Sequence, residues 1–105
     1  MSTIKVAAVQ AAPGFMDIDK AVAKTIDLID QAGQQGIQLL AFPETWLPGY
    51  PWYIWLGTPA DTIHYSAKYA NNSIEANSHH EKAISEAVKR NNIQVIMGVS
   101  ERDNG

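Results

Sequence analysis

The chain contains no cysteine among its 105 residues. Disulfide bonds, thiolate metal sites and a cysteine nucleophile are therefore excluded within this sequence. Charged residues make up 18% of the chain and the net charge is -3. The basic excess that favours binding to nucleic acid or to an anionic membrane surface is thus absent, and we expect neither as a partner.

Long apolar segments and targeting signals are absent as well. No run approaches the roughly 18 to 20 apolar residues that a membrane-spanning helix needs. The opening "MSTIKVAAVQ" lacks the basic region and apolar core of a signal peptide, so the cytoplasm is the expected location. Neither a glycine-rich phosphate loop nor a serine in a nucleophile elbow occurs. The hydrophobic fraction of 46% is typical of a globular domain rather than a disordered chain.

The first half of the chain has the pattern of a strand, a helix and a second strand. Ile4 to Gln10 is a nearly continuous apolar run that favours a strand buried on both faces. The spacing of apolar residues then predicts a helix from Asp19 to Gln35, with Asp19 as its N-cap. Gly36 suits the left-handed position after a helix, and Ile37 to Phe42 is the second predicted strand.

A second helix and a third strand follow later in the chain. Ser78 and Glu81 have the spacing of a capping box, which predicts a helix start at this point. Asn91 and Asn92 end that helix. The apolar segment Ile93 to Glu101 is the third predicted strand.

The order strand, helix, strand, loop, helix, strand indicates an α/β fold with a largely parallel sheet. The long connection from Trp46 to Asn77 holds one predicted short helix around Asp61 to Asn71, and connections of this length are usually functional. The closing Asp103-Asn104-Gly105 is a hairpin turn signal that implies a further strand. We therefore expect this sequence to be truncated before the remaining strands of its fold.

Glu44 stands out because it follows the second predicted strand, at the edge where α/β sheets bind ligands. All three tryptophans and two of the four tyrosines lie between Trp46 and Trp55. Those aromatic residues are consistent with a substrate pocket, and equally with a cover over the core or a subunit interface. Desolvation by such a wall would raise the pKa of Glu44 towards the range useful for acid–base catalysis, whereas a solvated loop carboxylate is the simpler alternative.

The three histidines give no support for a metal site. His79 and His80 are adjacent in a predicted helix, and on that ground they are not expected to face one metal ion. His64 with Asp61 suggests a dyad, but local interactions in a helix account for the pair as well. We expect neither a metal nor a cofactor.

Three segments resemble one enzyme family. "KVAAVQAAP", "GIQLLAFPETWLPGYPWYIWLG" and "VIMGVSERDNG" are similar, in order and spacing, to the N-terminal part of the nitrilase superfamily of carbon–nitrogen hydrolases. The "PGYPW" continuation resembles the nitrilase branch more than the amidase branches. The resemblance covers residues 1–105, which it identifies as the N-terminal part of a single hydrolase domain.

The resemblance implies a partial α-β-β-α sandwich, a homo-oligomer, and hydrolysis of a small organic nitrile to a carboxylic acid and ammonia. In this family a glutamate moves protons, a lysine stabilises charged intermediates and a cysteine attacks the nitrile carbon. The glutamate corresponds to Glu44, and Tyr50, Trp52 and Tyr53 fall where the substrate pocket is formed. No lysine or cysteine of this chain matches the other two roles, so the 105 residues alone are expected to be inactive. A non-catalytic interaction module and an amidase or carbamoylase relative are the alternatives.

Overall fold

The structure, a computed structural model, describes residues 2–104. Its regular elements alternate along the chain in the predicted α/β order. They are β1 (Val6–Ala8), α1 (Ile18–Gln34), β2 (Leu39–Ala41), a single 3-10 turn (Trp52–Trp55), α2 (Ile63–Asn71), α3 (His79–Arg90) and β3 (Gln94–Ile96). The α/β class and the order of the elements are therefore confirmed. The 3-10 turn is the one described element that the sequence pattern did not indicate.

The three strands form a parallel sheet in the order β1-β2-β3, so β2 is the central strand. Val6 lies opposite Leu39, which in turn lies opposite Gln94. Spatial order thus follows chain order, and each strand pairs with the one before it. This places the loop after β2, which carries Glu44, between the ends of its two neighbours.

One face of the sheet is covered and the other is open. Leu40 is buried under the helices, and Ala7 and Val95 beside it pack against the same core. On the opposite face Val6 is 57% exposed and Ile96 is 61% exposed. The prediction of a first strand buried on both faces is therefore wrong, because within residues 2–104 β1 is an edge strand and only one sheet face carries helices.

The first helix lies on the covered face with a continuous buried stripe. Its members are Ala21, Val22, Thr25, Ile29 and Ala32. Its N-cap is Asp17, whose Oδ1 accepts from the Lys20 amide at 3.1 Å, so the prediction of Asp19 as the cap is wrong. Asp17 has the extended backbone that a cap requires, whereas Asp19 already lies within the first turn. Gly36 has φ +75° as predicted.

The start of α3 confirms the predicted pairing of Ser78 with Glu81, but the Glu81 side chain bonds one residue earlier than in a standard capping box. Ser78 Oγ accepts from the Glu81 amide at 3.3 Å, and Glu81 Oε2 accepts from the amide of Asn77 at 2.9 Å. At its other end α3 is joined to α1, because the Arg90 guanidinium donates to both carboxylate oxygens of Asp30 at 2.9 to 3.2 Å. Asn91 Nδ2 also donates to Asp30, at 2.7 Å.

The third strand is regular over fewer residues than the sequence predicts. Beyond Ile96 the chain stays extended and makes isolated parallel bridges, Leu47 with Val99 and Ile74 with Glu101. The segments around Leu47 and Ile74 thus take over the role of β2 as pairing partner. In the predicted terminal turn Asn104 has φ +57°, while Gly105 lies outside the described residues.

None of the described helices combines the length and the apolar composition needed to cross a membrane. The longest, α1, has 17 residues and carries polar side chains along its outer face. Its apolar positions are confined to the stripe that faces the sheet, as in a helix that covers one side of a core.

Candidate active site

Glu44 lies in the loop that follows β2. Main-chain hydrogen bonds to β3 and to the residues directly after it, which together form the β3 segment, hold this loop on both sides. The Phe42 amide donates to the Ile96 carbonyl oxygen at 2.8 Å, and the Trp46 amide donates to the Gly98 carbonyl oxygen at 2.8 Å. The residues between these two bonds project from the carboxyl end of the sheet. Glu44 is therefore anchored where the fold class predicts a ligand site.

Trp46 ties the same loop to α1. Its side chain is buried, and its indole Nε1–H donates to the Thr25 hydroxyl at 2.8 Å. The Thr25 hydroxyl in turn donates to the Ala21 carbonyl oxygen at 2.7 Å, so both side-chain polar atoms of this buried pair are bonded. Trp46 is thus a structural anchor of this loop.

The next residues are fixed by contacts from both sides. The Leu47–Pro48 peptide bond is cis, and the Gly49 amide donates to the Thr45 carbonyl oxygen at 2.9 Å. Gly49 has φ +114°, and a Cβ at this position would lie 2.6 Å from the Phe15 ring, so only glycine fits. Its carbonyl oxygen accepts from the Tyr69 hydroxyl at 2.8 Å. Tyr50, the next residue, is carried on this fixed segment.

Glu44 borders a cavity of about 320 Å³ with a mainly apolar wall. The lining residues are Ala11, Ala12, Pro13, Phe15, Pro43, Glu44, Thr45, Trp46, Tyr50 and Trp52. Three of the four residues predicted from the sequence, Glu44, Tyr50 and Trp52, therefore meet at one site. One carboxylate beside several aromatic rings suits a small organic molecule with one polar end.

The two predicted aromatic residues of this wall contact each other. The Tyr50 and Trp52 rings have centroids 5.0 Å apart and an interplanar angle of 58°. The Trp55 indole Nε1–H lies 3.4 Å from the Tyr50 hydroxyl, which is at the long end of hydrogen-bond distances. Trp52 itself is 65% exposed, so the cavity is open on this side.

Tyr53 lies elsewhere. It is buried in a cluster with Tyr65 and Tyr69, at ring-centroid distances of 5.8 and 6.0 Å. It borders a second cavity of about 580 Å³, which shares Phe15 and Trp52 with the first. A direct contact between Tyr53 and a substrate beside Glu44 stays a prediction. The buried position of Tyr53, outside the lining of the Glu44 cavity, does not favour it.

Glu44 is exposed in this chain. The sequence-based expectation assumed that the aromatic wall desolvates this carboxylate, and that burial is not present among residues 2–104. The surroundings of Glu44 are those of a solvated loop carboxylate, which was the simpler alternative. Its position beside an aromatic cavity, on a loop held by hydrogen bonds on both sides, is nevertheless what the hypothesis of a catalytic role requires.

Several residues of the site carry no strong signal in the sequence. Ala11 and Ala12 form one side of the cavity, and the Lys24 ammonium donates to the Ala12 carbonyl oxygen, which ties this side to α1. Phe15 lies in the connection between β1 and α1, where no site residue was predicted. The "AAPGF" stretch offers an indirect hint, because a Pro-Gly pair after the first strand marks a connection at the same sheet edge as Glu44.

The histidine pair departs from the sequence-based reasoning. One ligand atom from each of His79, His80 and Asp19 lies within 4.8 Å of the others, so adjacency alone does not keep the two histidines apart. His80 Nε2 lies 2.8 Å from Asp19 Oδ1, which makes an ion pair between α3 and α1 when the imidazole is protonated. That interhelix contact accounts for the cluster without a metal ion.

Comparison with known proteins places this geometry in a family. The sequence profile described as "Carbon-nitrogen hydrolase" matches residues 5–105. The chain belongs to the carbon–nitrogen hydrolase family. The resemblance inferred from the three motifs is thereby confirmed, and the matched residues include Glu44 and its loop.

Curated members of the family are similar to almost all of the 105 residues of this chain. It is 46% identical over 100 residues to a protein named "Nitrilase" from Pseudomonas syringae pv. syringae (strain B728a), which covers 95% of this chain and 30% of the relative. It is 43% identical over 105 residues to "Aliphatic nitrilase" from Rhodococcus rhodochrous, and the alignment covers 99% of this chain and 29% of that relative. A "Cyanide hydratase" from Penicillium rubens is 43% identical over 99 residues, and the alignment covers 94% of this chain and 28% of that relative. The chain thus spans about three-tenths of the length of the relatives it matches.

Proposed function

We propose that these 105 residues are part of a nitrile hydrolase and that Glu44 is its acid–base residue. The observation that carries the proposal is the Glu44 carboxylate on a clamped loop, at the mouth of an aromatic cavity, in a chain that resembles proteins named nitrilases. The substrate is a small organic nitrile, and the products are a carboxylic acid and ammonia. The cytoplasm remains our predicted location.

In the proposed mechanism this chain supplies the proton carrier and part of the pocket. A thiolate attacks the nitrile carbon, and water then releases ammonia and the acid. Glu44 moves protons between the attacking groups and the leaving nitrogen. Tyr50 and Trp52 hold the organic group of the substrate against the cavity wall. The sequence of this chain contains no cysteine, so the thiol of a Glu-Lys-Cys site has to come from outside these 105 residues. The resemblance to the family assigns its lysine to no position in this chain.

The proposal is tested with a chimera. Residues 1–105 replace the matching segment of the Pseudomonas syringae nitrilase, and ammonia release from a series of nitriles is measured. We expect turnover by the chimera and a loss of about 10²- to 10⁴-fold in kcat for Glu44→Gln, since the amide cannot carry a proton. Glu86→Gln, a matched change on the exposed face of α3, serves as control and should retain activity.

Three results would count against the proposal. Turnover of amides without turnover of nitriles would favour the amidase or carbamoylase alternative. Full activity of Glu44→Gln would remove Glu44 from the mechanism. Nitrile turnover by the isolated 105-residue chain would overturn the requirement for a thiol, and we expect none.

A non-catalytic interaction module is the second candidate. The open sheet face that carries Val6 and Ile96 favours it, because exposed apolar surfaces of this kind mark contact sites. Self-association into a homo-oligomer is the corresponding prediction. A folded monomer in sedimentation, at concentrations where association is measurable, would argue against it.

A further inference from the structure

The Glu44 carboxylate has no hydrogen-bonded support of its own in the part of the chain that the structure describes. Within residues 2–104 no main-chain or side-chain donor bonds to it, and the side chain is exposed. The backbone of the loop therefore sets the position of Cα and the direction in which the side chain leaves it. Two neighbouring features fix that backbone.

The first feature is Gly98, which lies directly against the Glu44 loop. A Cβ on Gly98 would lie 2.9 Å from the Thr45 amide nitrogen, 3.0 Å from Glu44 Cα and 3.1 Å from the Pro43 carbonyl oxygen. All three are backbone atoms, so no side chain can rotate away to make room. The Gly98 carbonyl oxygen also accepts the Trp46 amide at 2.8 Å, which keeps the two segments in contact.

The second feature is the strained backbone of Thr45. It has φ +43°, a left-handed conformation that is a genuine outlier for a β-branched residue. Its hydroxyl is buried, and no hydrogen-bond partner for it exists among the described residues. Strain of this kind persists only where the surrounding structure imposes it, and such residues cluster at functional sites.

We propose that Gly98 and Thr45 are positioning residues of the Glu44 carboxylate. The absence of a side chain at position 98 lets the loop sit against β3, and the left-handed turn at Thr45 then directs the preceding Glu44 into the cavity. A Cβ at Gly98 displaces Glu44 Cα, and a relaxed backbone at Thr45 lets the carboxylate turn away. The inference rests on the proposed function for its effect on catalysis, but its geometric part stands independently of that function.

The first experiment uses Gly98→Ala in the chimeric nitrilase. We expect kcat, normalised to the number of active sites, to fall by about tenfold or more, with KM changed by less than about twofold, because small misplacements of a catalytic group affect mainly the chemical step. Gly33→Ala is the matched control. A Cβ there meets the Asn91 side chain at 2.1 Å between α1 and α3, so it costs stability at a distance from Glu44 and should leave kcat unchanged.

The second experiment uses Thr45→Gly, which removes the strain and the unpartnered hydroxyl together. We expect the melting temperature to stay level or rise while kcat falls, since glycine adopts positive φ freely. A residue with a merely structural role would not show opposite changes in stability and turnover. A lower melting temperature with unchanged kcat would overturn the assignment of Thr45.

A crystal structure of the Gly98→Ala chimera separates this inference from the proposed function. We expect a shift of Glu44 Cα relative to β2 and β3 that Gly33→Ala does not produce. If the parent chimera hydrolyses no nitrile, the proposed function fails, but the shift still supports the positioning role. If Glu44 Cα stays in place, or if Gly98→Ala and Gly33→Ala have the same kcat in a chimera whose parent is active, the positioning role is wrong.

Discussion

At the scale of single residues, the buried pair Trp46 and Thr25 decides where the candidate acid sits. The indole of Trp46 bonds to a hydroxyl on α1, and its main-chain amide bonds to the β3 segment. One residue therefore connects the Glu44 loop to both the helical layer and the sheet. Removing one partner of a buried hydrogen bond costs more than removing both, because the remaining polar group loses water without gaining a replacement.

Thr25→Val tests this anchor. The substitution keeps the side-chain shape but leaves the Trp46 indole N–H without its partner, and we expect a loss of about 1 to 3 kcal/mol in the free energy of unfolding. Urea denaturation measures it, with Thr25→Ser, which retains the hydroxyl, as control. The double variant with Trp46→Phe should lose less than the sum of the single changes. Strict additivity would mean that the two side chains do not interact.

At the scale of elements, the contact between α1 and α3 is the best-defined polar interaction of the fold. The Arg90 guanidinium, with help from the Asn91 amide, holds the pKa of Asp30 below its ordinary value of 3.8. A carboxyl group with a lowered folded-state pKa stabilises the fold above its unfolded-state pKa. That stabilisation is lost as the pH falls through the lowered value.

Asp30→Asn should therefore flatten the acid limb of the stability curve. We expect the variant to be less stable than the parent near neutral pH. The difference should shrink as the pH falls from about 4, the unfolded-state pKa, through the lowered pKa of the folded state. Urea denaturation of both proteins at several pH values gives the comparison. Asp27→Asn, an exposed charge change on the same helix, is the control. An equal deficit at acid and neutral pH would contradict this account.

The elements show why sequence patterns predict some features and not others. Helical spacing and local caps involve neighbouring residues only, so α1, α3 and the capping box at Ser78 could be predicted. The choice of Asp17 over Asp19 as N-cap depends on where the chain leaves the Pro13–Gly14 loop, which no local pattern specifies. Burial of β1 depends on what covers the sheet, which is a tertiary property.

The same distinction holds for the site. Glu44 could be located because a strand followed by "FPE" marks both a sheet edge and a family motif. Tyr50 and Tyr53 are equally aromatic in the sequence. Tyr50 precedes the 3-10 turn and lines the cavity, whereas Tyr53 lies within the turn and is buried among tyrosines of α2. Gly98 lies more than fifty residues beyond Glu44, and only the structure shows that the two backbones touch.

At the scale of the whole molecule, the open face of the sheet determines how the isolated chain should behave. Val6 and Ile96 lie on this face at its two edges, with the side chains of β2 between them. Apolar surface of this kind is removed from water whenever a partner surface is available.

We expect the isolated chain to associate through this face, and Ile96→Thr to shift the equilibrium towards monomer. Ile63→Thr, at an equally exposed isoleucine on α2 away from the sheet, should leave the association unchanged. Sedimentation velocity over a range of concentrations distinguishes the two variants. Equal behaviour of both would mean that the sheet face is not the contact surface.

The agreement between strand order and chain order also bears on how the protein is made. Each strand pairs with its predecessor, so no later segment has to insert between strands that are already paired. During synthesis α1 and β2 can add to β1 as they leave the ribosome, and β3 can add to β2 after α3. The Glu44 loop receives its last backbone contact only when Gly98 arrives. The acid is thus set in place only after α1 and α3 have been made, when the segment that follows β3 reaches the loop.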